Sequence, residues 1–140
     1  RLRLLPVKPE TRFIQGVHKH LPSSTVLHRE KMSNPYRGGT ADMYYSANKA
    51  DLWLEYKFLL SVPQRGIVDA KRIGLSALQK AWLAGRYKEG RNVGVVVGCP
   101  PGGVILRDLE WEDGISPEDF RARIQSRPAI AEWIVHQTLS

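Results

Sequence analysis

The middle of the chain alternates hydrophobic and polar residues with the period of a β-strand. In residues 51–58, DLWLEYKF, four apolar side chains (Leu52, Leu54, Tyr56 and Phe58) share one face, while Trp53, Glu55 and Lys57 lie on the other. Residues 40–46, TADMYYS, have a similar strand-like pattern, and the polar residues 47–50 separate the two segments. The pattern therefore predicts a β-hairpin with a charged pair in its most hydrophobic strand.

Helical spacing on either side of the hairpin predicts flanking helices. Apolar residues recur every three to four positions in residues 10–21, and a second helix opens at Ser76 and runs to about Glu89, with Gly90 placed to stop it. Residues 60–74, with Pro63, Gly66 and Gly74, read as a basic loop. The remaining predicted elements are a short strand within 25–32, strands at 92–99 and 103–108, and short helices after Ser116 and Ser126.

The charge is divided unevenly along the chain. The net charge is +7; residues 1–107 hold 18 Lys and Arg against 7 Asp and Glu, whereas residues 108–140 hold 3 against 7. A basic body attracts polyanions, and nucleic acid is the leading candidate. We therefore expect one domain over residues 1–140, with a basic core at 1–107 and an acidic helical extension at 108–140 that offers a surface for a protein partner.

The composition limits the class of protein. An apolar content of 42% in 140 residues is enough for a single core, and no run reaches the roughly 18 apolar residues of a membrane span. The one cysteine, Cys99, excludes an internal disulfide framework and a cysteine-rich zinc site, and it is expected to be structural. The four histidines form no His-Glu-x-x-His pattern. These features fit an intracellular protein that does not interact with membranes.

The hairpin offers a constellation of charged groups with a chemical use. If its pairing places Asp42 beside Glu55 and Lys57, two carboxylates converge, and they repel one another unless a cation lies between them. Hard oxygen ligands with open water positions suit Mg²⁺ or Mn²⁺. Such an ion binds a phosphate oxygen, acidifies a water molecule and stabilises developing charge, while Lys57 orients or activates the attacking water.

Two stretches of the chain resemble a known family. GGTADMYYS…LWLEYK, at 38–46 and 52–57, resembles the core of the PD-(D/E)xK nucleases, with Ala41 where the family often has proline. GLSALQKAW, at 74–82, resembles the Gln-containing helix of the VRR-NUC branch and of related phage and junction-resolving nucleases. The resemblance spans residues 10 to about 98. It implies an α/β fold with a restriction-endonuclease-like core, in which helices flank a central mixed β-sheet, and C-terminal helices follow.

The resemblance also implies roles for particular residues. Asp42, Glu55 and the backbone carbonyl of Tyr56 would bind the metal ion, and Lys57 would be the water-orienting base or electrostatic group. Gln79 would support the site, and Glu10 matches the position of an additional family acid. Candidate phosphate contacts, chosen for their charge, are Arg37, Arg65, Lys71 and Arg72.

Structural alternatives stand beside these roles. Glu55 and Lys57 could form only a surface ion pair, worth under about 1 kcal/mol. Asp42 could be an edge-strand charge that prevents aggregation. Gln79 lies three residues after Ser76, which is the spacing of a capping box. Tyr44 and Tyr45 could stack on bases or pack in the core.

The sequence as a whole predicts a Mg²⁺-dependent DNA endonuclease of compact size, of the phage-encoded, homing or junction-resolving kind. A homodimer would suit the cutting of two strands, because one site cuts one strand. The alternatives are a nucleic-acid-binding module without catalysis and an accessory protein.

Overall fold

The computed structural model describes residues 6–32 and 38–140, and it contains one five-stranded sheet. The strands are β1 (His28–Lys31), β2 (Met43–Ser46), β3 (Asp51–Phe58), β4 (Val93–Cys99) and β5 (Gly102–Leu106). They lie in the order β1-β2-β3-β4-β5, and every neighbouring pair is antiparallel except β3 and β4. The predicted central mixed sheet is therefore confirmed.

Six helices accompany the sheet in the described residues. They are α1 (Pro9–His18), α2 (Ala70–Ile73), α3 (Ala77–Lys88), α4 (Glu110–Asp113), α5 (Pro117–Arg123) and α6 (Arg127–Thr138). The parallel pairing of β3 and β4 needs a crossover connection, and α2 and α3 provide it. No helix in these parts of the chain is long and apolar enough to cross a membrane.

The sheet separates two layers of core residues. On one face, α1 and α6 cover β3, with Phe13, Ile130 and Ile134 packed around Leu54 and Tyr56. On the other face, buried residues of the crossover and of the C-terminal segment pack against β4; they include Val68, Leu83, Val95, Trp111 and Phe120. Because both faces are covered, all seven residues of β4 are buried.

Phe13 fixes the distance between α1 and the sheet. Its ring lies directly over Gly98 and Gly103, where an added Cβ would stand 2.8 Å and 2.9 Å from ring atoms of Phe13. Only glycine permits this approach without displacing the ring. The close packing sets the position of the N-terminal turn of α1, which begins with Pro9 and Glu10.

Several predicted boundaries were wrong. The first helix ends at His18, because Lys19–Leu21 form a turn, whereas the short strand predicted within 25–32 is present as His28–Lys31. The basic loop 60–74 contains the short helix α2, which Asp69 caps through a hydrogen bond from the Arg72 backbone N–H. The helix α4 was not predicted at all.

Candidate active site

The strands β2 and β3 separate at Asp42, and this opening defines the site. Their ladder ends at the pair Met43–Leu54. On the β1 side, the Asp42 carbonyl accepts a hydrogen bond from the Met32 N–H. On the β3 side, the Asp42 Oδ2 accepts from the Tyr56 backbone N–H at 3.0 Å. The N–H and the carbonyl of one residue in a strand point toward the same neighbouring strand. The Tyr56 carbonyl therefore also points to this opening.

Glu55 is a buried carboxyl group with an unused oxygen. Its side chain is 1% exposed, and its Oε1 has no hydrogen-bond partner in the described residues. Burial raises the pKa of Glu55 strongly, and a hydrogen bond with the Asp42 carboxyl and repulsion from it raise it further. Two carboxyl groups in such contact must share a proton or bind a cation.

Glu10 lies within the electrostatic field of this pair. It occupies the first turn of α1 and is half-buried. Burial raises its pKa, and the Asp42 charge adds to the rise, while Lys57 and Lys8 lower it. The start of α1 therefore reaches the open end of β3, where a third carboxyl group adds negative potential.

Lys57 supplies positive charge between the acids. It lies on the Glu55 face of β3, opposite Val97 of β4, and it is half-buried. Its charge lowers the pKa of both Glu55 and Glu10. No ion pair joins Lys57 to Glu55. The two therefore do not form the simple salt bridge that was the structural alternative.

Gln79 forms the capping box that the spacing predicts. Its Oε1 accepts from the Ser76 N–H at 2.9 Å, and the Ser76 Oγ accepts from the Gln79 N–H at 3.1 Å. The turn before Asp42 packs on this helix start: a Cβ added at Gly39, with φ of +95°, would lie 2.4 Å from the Leu78 carbonyl oxygen. Gln79 thus lies in the helix start against which the turn before Asp42 packs, with its amide oxygen engaged in the cap.

The donor set is suited to a cation that retains open positions. No group of three or more His, Cys, Asp or Glu side chains in residues 6–32 and 38–140 is arranged to hold a metal ion. Asp42 and Glu55 offer two carboxylates, one with a buried oxygen that lacks a partner, and the Tyr56 carbonyl faces the same gap. Mg²⁺ is bound in proteins by one or two carboxylates together with water and substrate phosphates, so these residues fit it.

A cleft leads away from the acids along α1. It has a volume of about 430 Å³, and Glu10 and Asp42 lie beside Arg29 and Lys31 among its lining residues. The positive charges of Arg29 and Lys31 beside Glu10 and Asp42 would favour a polyanionic ligand in this cleft.

The predicted phosphate contacts lie elsewhere or outside the described residues. Arg72 holds the crossover loop, since its guanidinium donates to the carbonyls of Arg65 and Gly66. Arg65 and Lys71 are exposed and form no ion pair with a described residue. Arg37 lies outside the described residues.

A chain of buried hydrogen bonds beneath the site was missed. His18 Nε2 lies 2.7 Å from the Tyr45 hydroxyl, which lies 2.7 Å from the Tyr56 hydroxyl. Tyr45 is fully buried, so it packs in the core and cannot stack on a base. The strand period placed Tyr56 inward, but the contact with His18 depends on how α1 crosses the sheet.

Comparison with known proteins gives a likeness in structure alone. No family model matches the chain, and no curated protein matches its sequence. Among solved structures it is similar to Hjc, a Holliday junction resolvase from the archaeal hyperthermophile Archaeoglobus fulgidus, solved at 1.6 Å resolution. The TM-score is 0.52, the identity is 14%, and the match covers 86% of this chain and 98% of Hjc. The predicted restriction-endonuclease-like core with C-terminal helices is thereby confirmed.

Proposed function

We propose that the protein is a divalent-metal-dependent endonuclease that hydrolyses DNA phosphodiester bonds. The observation that carries the proposal is the buried carboxyl group of Glu55, whose Oε1 lacks a partner in the described residues, together with Asp42, whose Oδ2 accepts from the N–H of the adjoining Tyr56. A buried carboxyl group such as that of Glu55, beside the half-buried Asp42, is costly in its charged form unless a cation neutralises it. The +7 net charge and the fold shared with a Holliday junction resolvase support a nucleic-acid substrate.

Each residue of the opening has a role in this proposal. Asp42, Glu55 and the Tyr56 carbonyl would hold Mg²⁺ or Mn²⁺, and the cation would supply positive charge for a phosphate oxygen and lower the pKa of water. Lys57 orients the attacking water and stabilises negative charge on the phosphate. Glu10 supports the acidic side of the site from the start of α1.

Gln79 supports the site indirectly, because the capping box holds the helix start against which the turn before Asp42 packs. Arg65 and Lys71 remain candidate phosphate contacts at the edge of the crossover. We further propose that residues 1–140 act as one domain, since Ile130 and Ile134 of the acidic segment share a core with Phe13.

A branched substrate is the finer proposal, and it is drawn from the likeness to Hjc, which is described as a Holliday junction resolvase. A homodimer would present two sites to two strands of such a junction. PD-(D/E)xK membership and the VRR-NUC relationship remain part of the proposal.

The experiment is cleavage of four DNAs: a plasmid, a single strand, a flap and a four-way junction. Each is incubated with Mg²⁺ or EDTA, using the wild type and Glu55→Ala. We expect metal-dependent cutting, greatest on the junction and abolished by Glu55→Ala. Cutting of the plasmid at fixed sites would instead favour sequence-specific cleavage.

A second candidate function is binding of nucleic acid without cleavage. It is favoured by the lack of a third side-chain ligand beside Asp42 and Glu55 in the described part of the chain. Tight binding of every DNA, with no cutting in either Mg²⁺ or Mn²⁺, would support it.

A further inference from the structure

A second cleft lies on the other flank of α1, where α1 meets the start of α6. Its volume is about 400 Å³, and it is lined by Arg12, Lys19, His20 and Arg127 together with small and apolar residues. Positions 12, 16 and 19 share one side of α1, whereas 11, 15 and 18 line the cleft that contains Asp42. None of the residues that line this second cleft is acidic.

The cations of this cleft are not neutralised by the protein. Arg12, Lys19 and Arg127 form no ion pair within residues 6–32 and 38–140. The sequence segments 1–5 and 33–37 contain no Asp or Glu that could supply a partner. Like charges gathered in one concave site raise the local positive potential and favour an anionic ligand.

The side chain of Arg127 packs against Phe13 and Gly16. Its guanidinium carbon lies 5.4 Å from the centre of the Phe13 ring, and its Nε is buried without an acceptor in the described residues. A Cβ at Gly16 would lie 2.6 Å from Arg127 Cδ, so glycine leaves the space that this side chain occupies. A planar guanidinium with unused donors suits a phosphate group.

The second cleft lies within reach of a nucleic-acid strand that enters the candidate active site. Glu10 and Gly16 are six residues apart on α1, which corresponds to about 9 Å along the helix axis. Pro101, which also lines the cleft, follows β4, and β4 runs parallel to β3 with Val97 beside Lys57. The cleft is therefore separated from Glu10 by only a short stretch of nucleic-acid backbone.

We propose that the cleft formed by Arg12, Lys19 and Arg127 binds a backbone phosphate of the nucleic-acid substrate, away from the bond that is cut. The inference rests on the proposed function, which it deepens by assigning a second substrate contact on the far flank of α1. A free phosphate ion has the same chemistry, and the experiment below separates the two sources.

The experiment measures the affinity for a four-way junction in EDTA at several NaCl concentrations. Arg12→Ala/Lys19→Ala is compared with Lys88→Ala/Arg91→Ala, which removes two exposed cations outside the cleft. We expect the first variant to bind about tenfold or more weakly. Its salt slope should fall by about 1, because the single phosphate contact of the cleft is lost. The control should retain the wild-type slope.

A third variant separates geometry from net charge. Gly16→Ala removes no charge but displaces Arg127, so we expect weaker binding and a salt slope lower by about 1. Equal weakening by both double variants, with wild-type binding by Gly16→Ala, would overturn the proposal. So would tight calorimetric binding of inorganic phosphate that Arg12→Ala/Lys19→Ala abolishes while junction binding stays unchanged.

Cleavage in Mg²⁺ is measured separately with the wild type. If the cleft variants lose affinity but the wild type cuts no DNA, the phosphate contact stands and the proposed nuclease function fails. If the wild type cuts and the cleft variants bind normally, only the inference about the cleft fails.

Discussion

The backbone N–H of Tyr56 donates to Oδ2 of Asp42 at 3.0 Å, across the point where β2 and β3 separate. This bond replaces the ladder that would otherwise continue past Met43 and Leu54. It directs one carboxyl group toward Glu55, and it aligns the Tyr56 carbonyl with the same gap. The bond therefore ties Asp42 to β3 at the point where the sheet opens.

Two substitutions of Asp42 separate its charge from its hydrogen bond. Asp42→Asn retains an oxygen that accepts from the Tyr56 N–H and relieves repulsion with Glu55, so its stability in EDTA should equal or exceed that of the wild type. Asp42→Ala leaves that N–H without its acceptor and should cost about 1–3 kcal/mol. Urea unfolding measures both; equal destabilisation by the two changes would contradict the role of the bond.

His18 should make the protein less stable in acid. Burial and the nearby Arg29 lower the pKa of His18 from its ordinary value of 6.5 to about 4, so the folded state binds fewer protons than the unfolded state between these values. Stability from this group is present above pH 6.5 and is lost as the pH falls through about 4.

The measurement is urea unfolding of His18→Gln from pH 7 to pH 4. The stability of the wild type should fall more steeply with pH than that of His18→Gln. His28→Gln, which alters an exposed histidine, should follow the wild type. Parallel curves for all three proteins would contradict the assignment.

Gly98 tests whether the packing of α1 positions Glu10. In Gly98→Ala the new Cβ would lie 2.8 Å from both Phe13 and Phe58, so α1 must shift. Overpacking of this kind costs about 1–3 kcal/mol, and we expect cleavage to fall as Glu10 moves. The matched control is Gly85→Ala in α3, where nothing lies within 4 Å of the added Cβ. The control should gain up to about 1 kcal/mol of stability and keep full activity.

Substitutions of Ser76 and Gln79 test whether Gln79 contributes to activity only through the capping box. Ser76→Ala should lower the free energy of unfolding by about 0.5–2 kcal/mol, and Gln79→Ala should lower it by no more than that. If Gln79 acts only through the cap, kcat should change equally in the two variants once folding is complete. A much larger fall in kcat for Gln79→Ala alone would show that its side chain acts directly in the site.

Strong local patterns predicted much of the fold. The period-two alternation gave the bounds of β3, and Ser116 and Ser126 do cap α5 and α6. α4 was missed because its N-cap, Leu109, adopts a left-handed conformation with φ of 61°, which no local residue pattern indicates for leucine. The first helix was extended too far because Leu21 fits the helical spacing, although the chain already turns after His18.

The candidate site residues could be proposed from the sequence only as far as one hairpin defines them. The hairpin pattern and the family resemblance singled out Asp42, Glu55 and Lys57, and the structure places Asp42 and Glu55 directly beyond the last ladder pair, Met43–Leu54. The burial of Glu55 does not follow from the hairpin, because it depends on the crossover between β3 and β4. The packing of Gly39 against the capping box of Ser76 and Gln79 depends on the same crossover. The Arg127 cleft joins residues more than one hundred positions apart, so no local pattern predicts it.

The central claim is that Asp42 and Glu55 together hold a divalent cation. The most direct measurement is thermal unfolding of the wild type, Glu55→Gln and Glu112→Gln with increasing Mn²⁺, where Glu112 is an exposed acid outside the opening. A cation that binds the folded state stabilises it by about 2.7 kcal/mol at one hundred times its dissociation constant. We predict that Mn²⁺ raises the Tm of the wild type and of Glu112→Gln, but leaves that of Glu55→Gln unchanged. An equal rise in all three proteins would contradict the account.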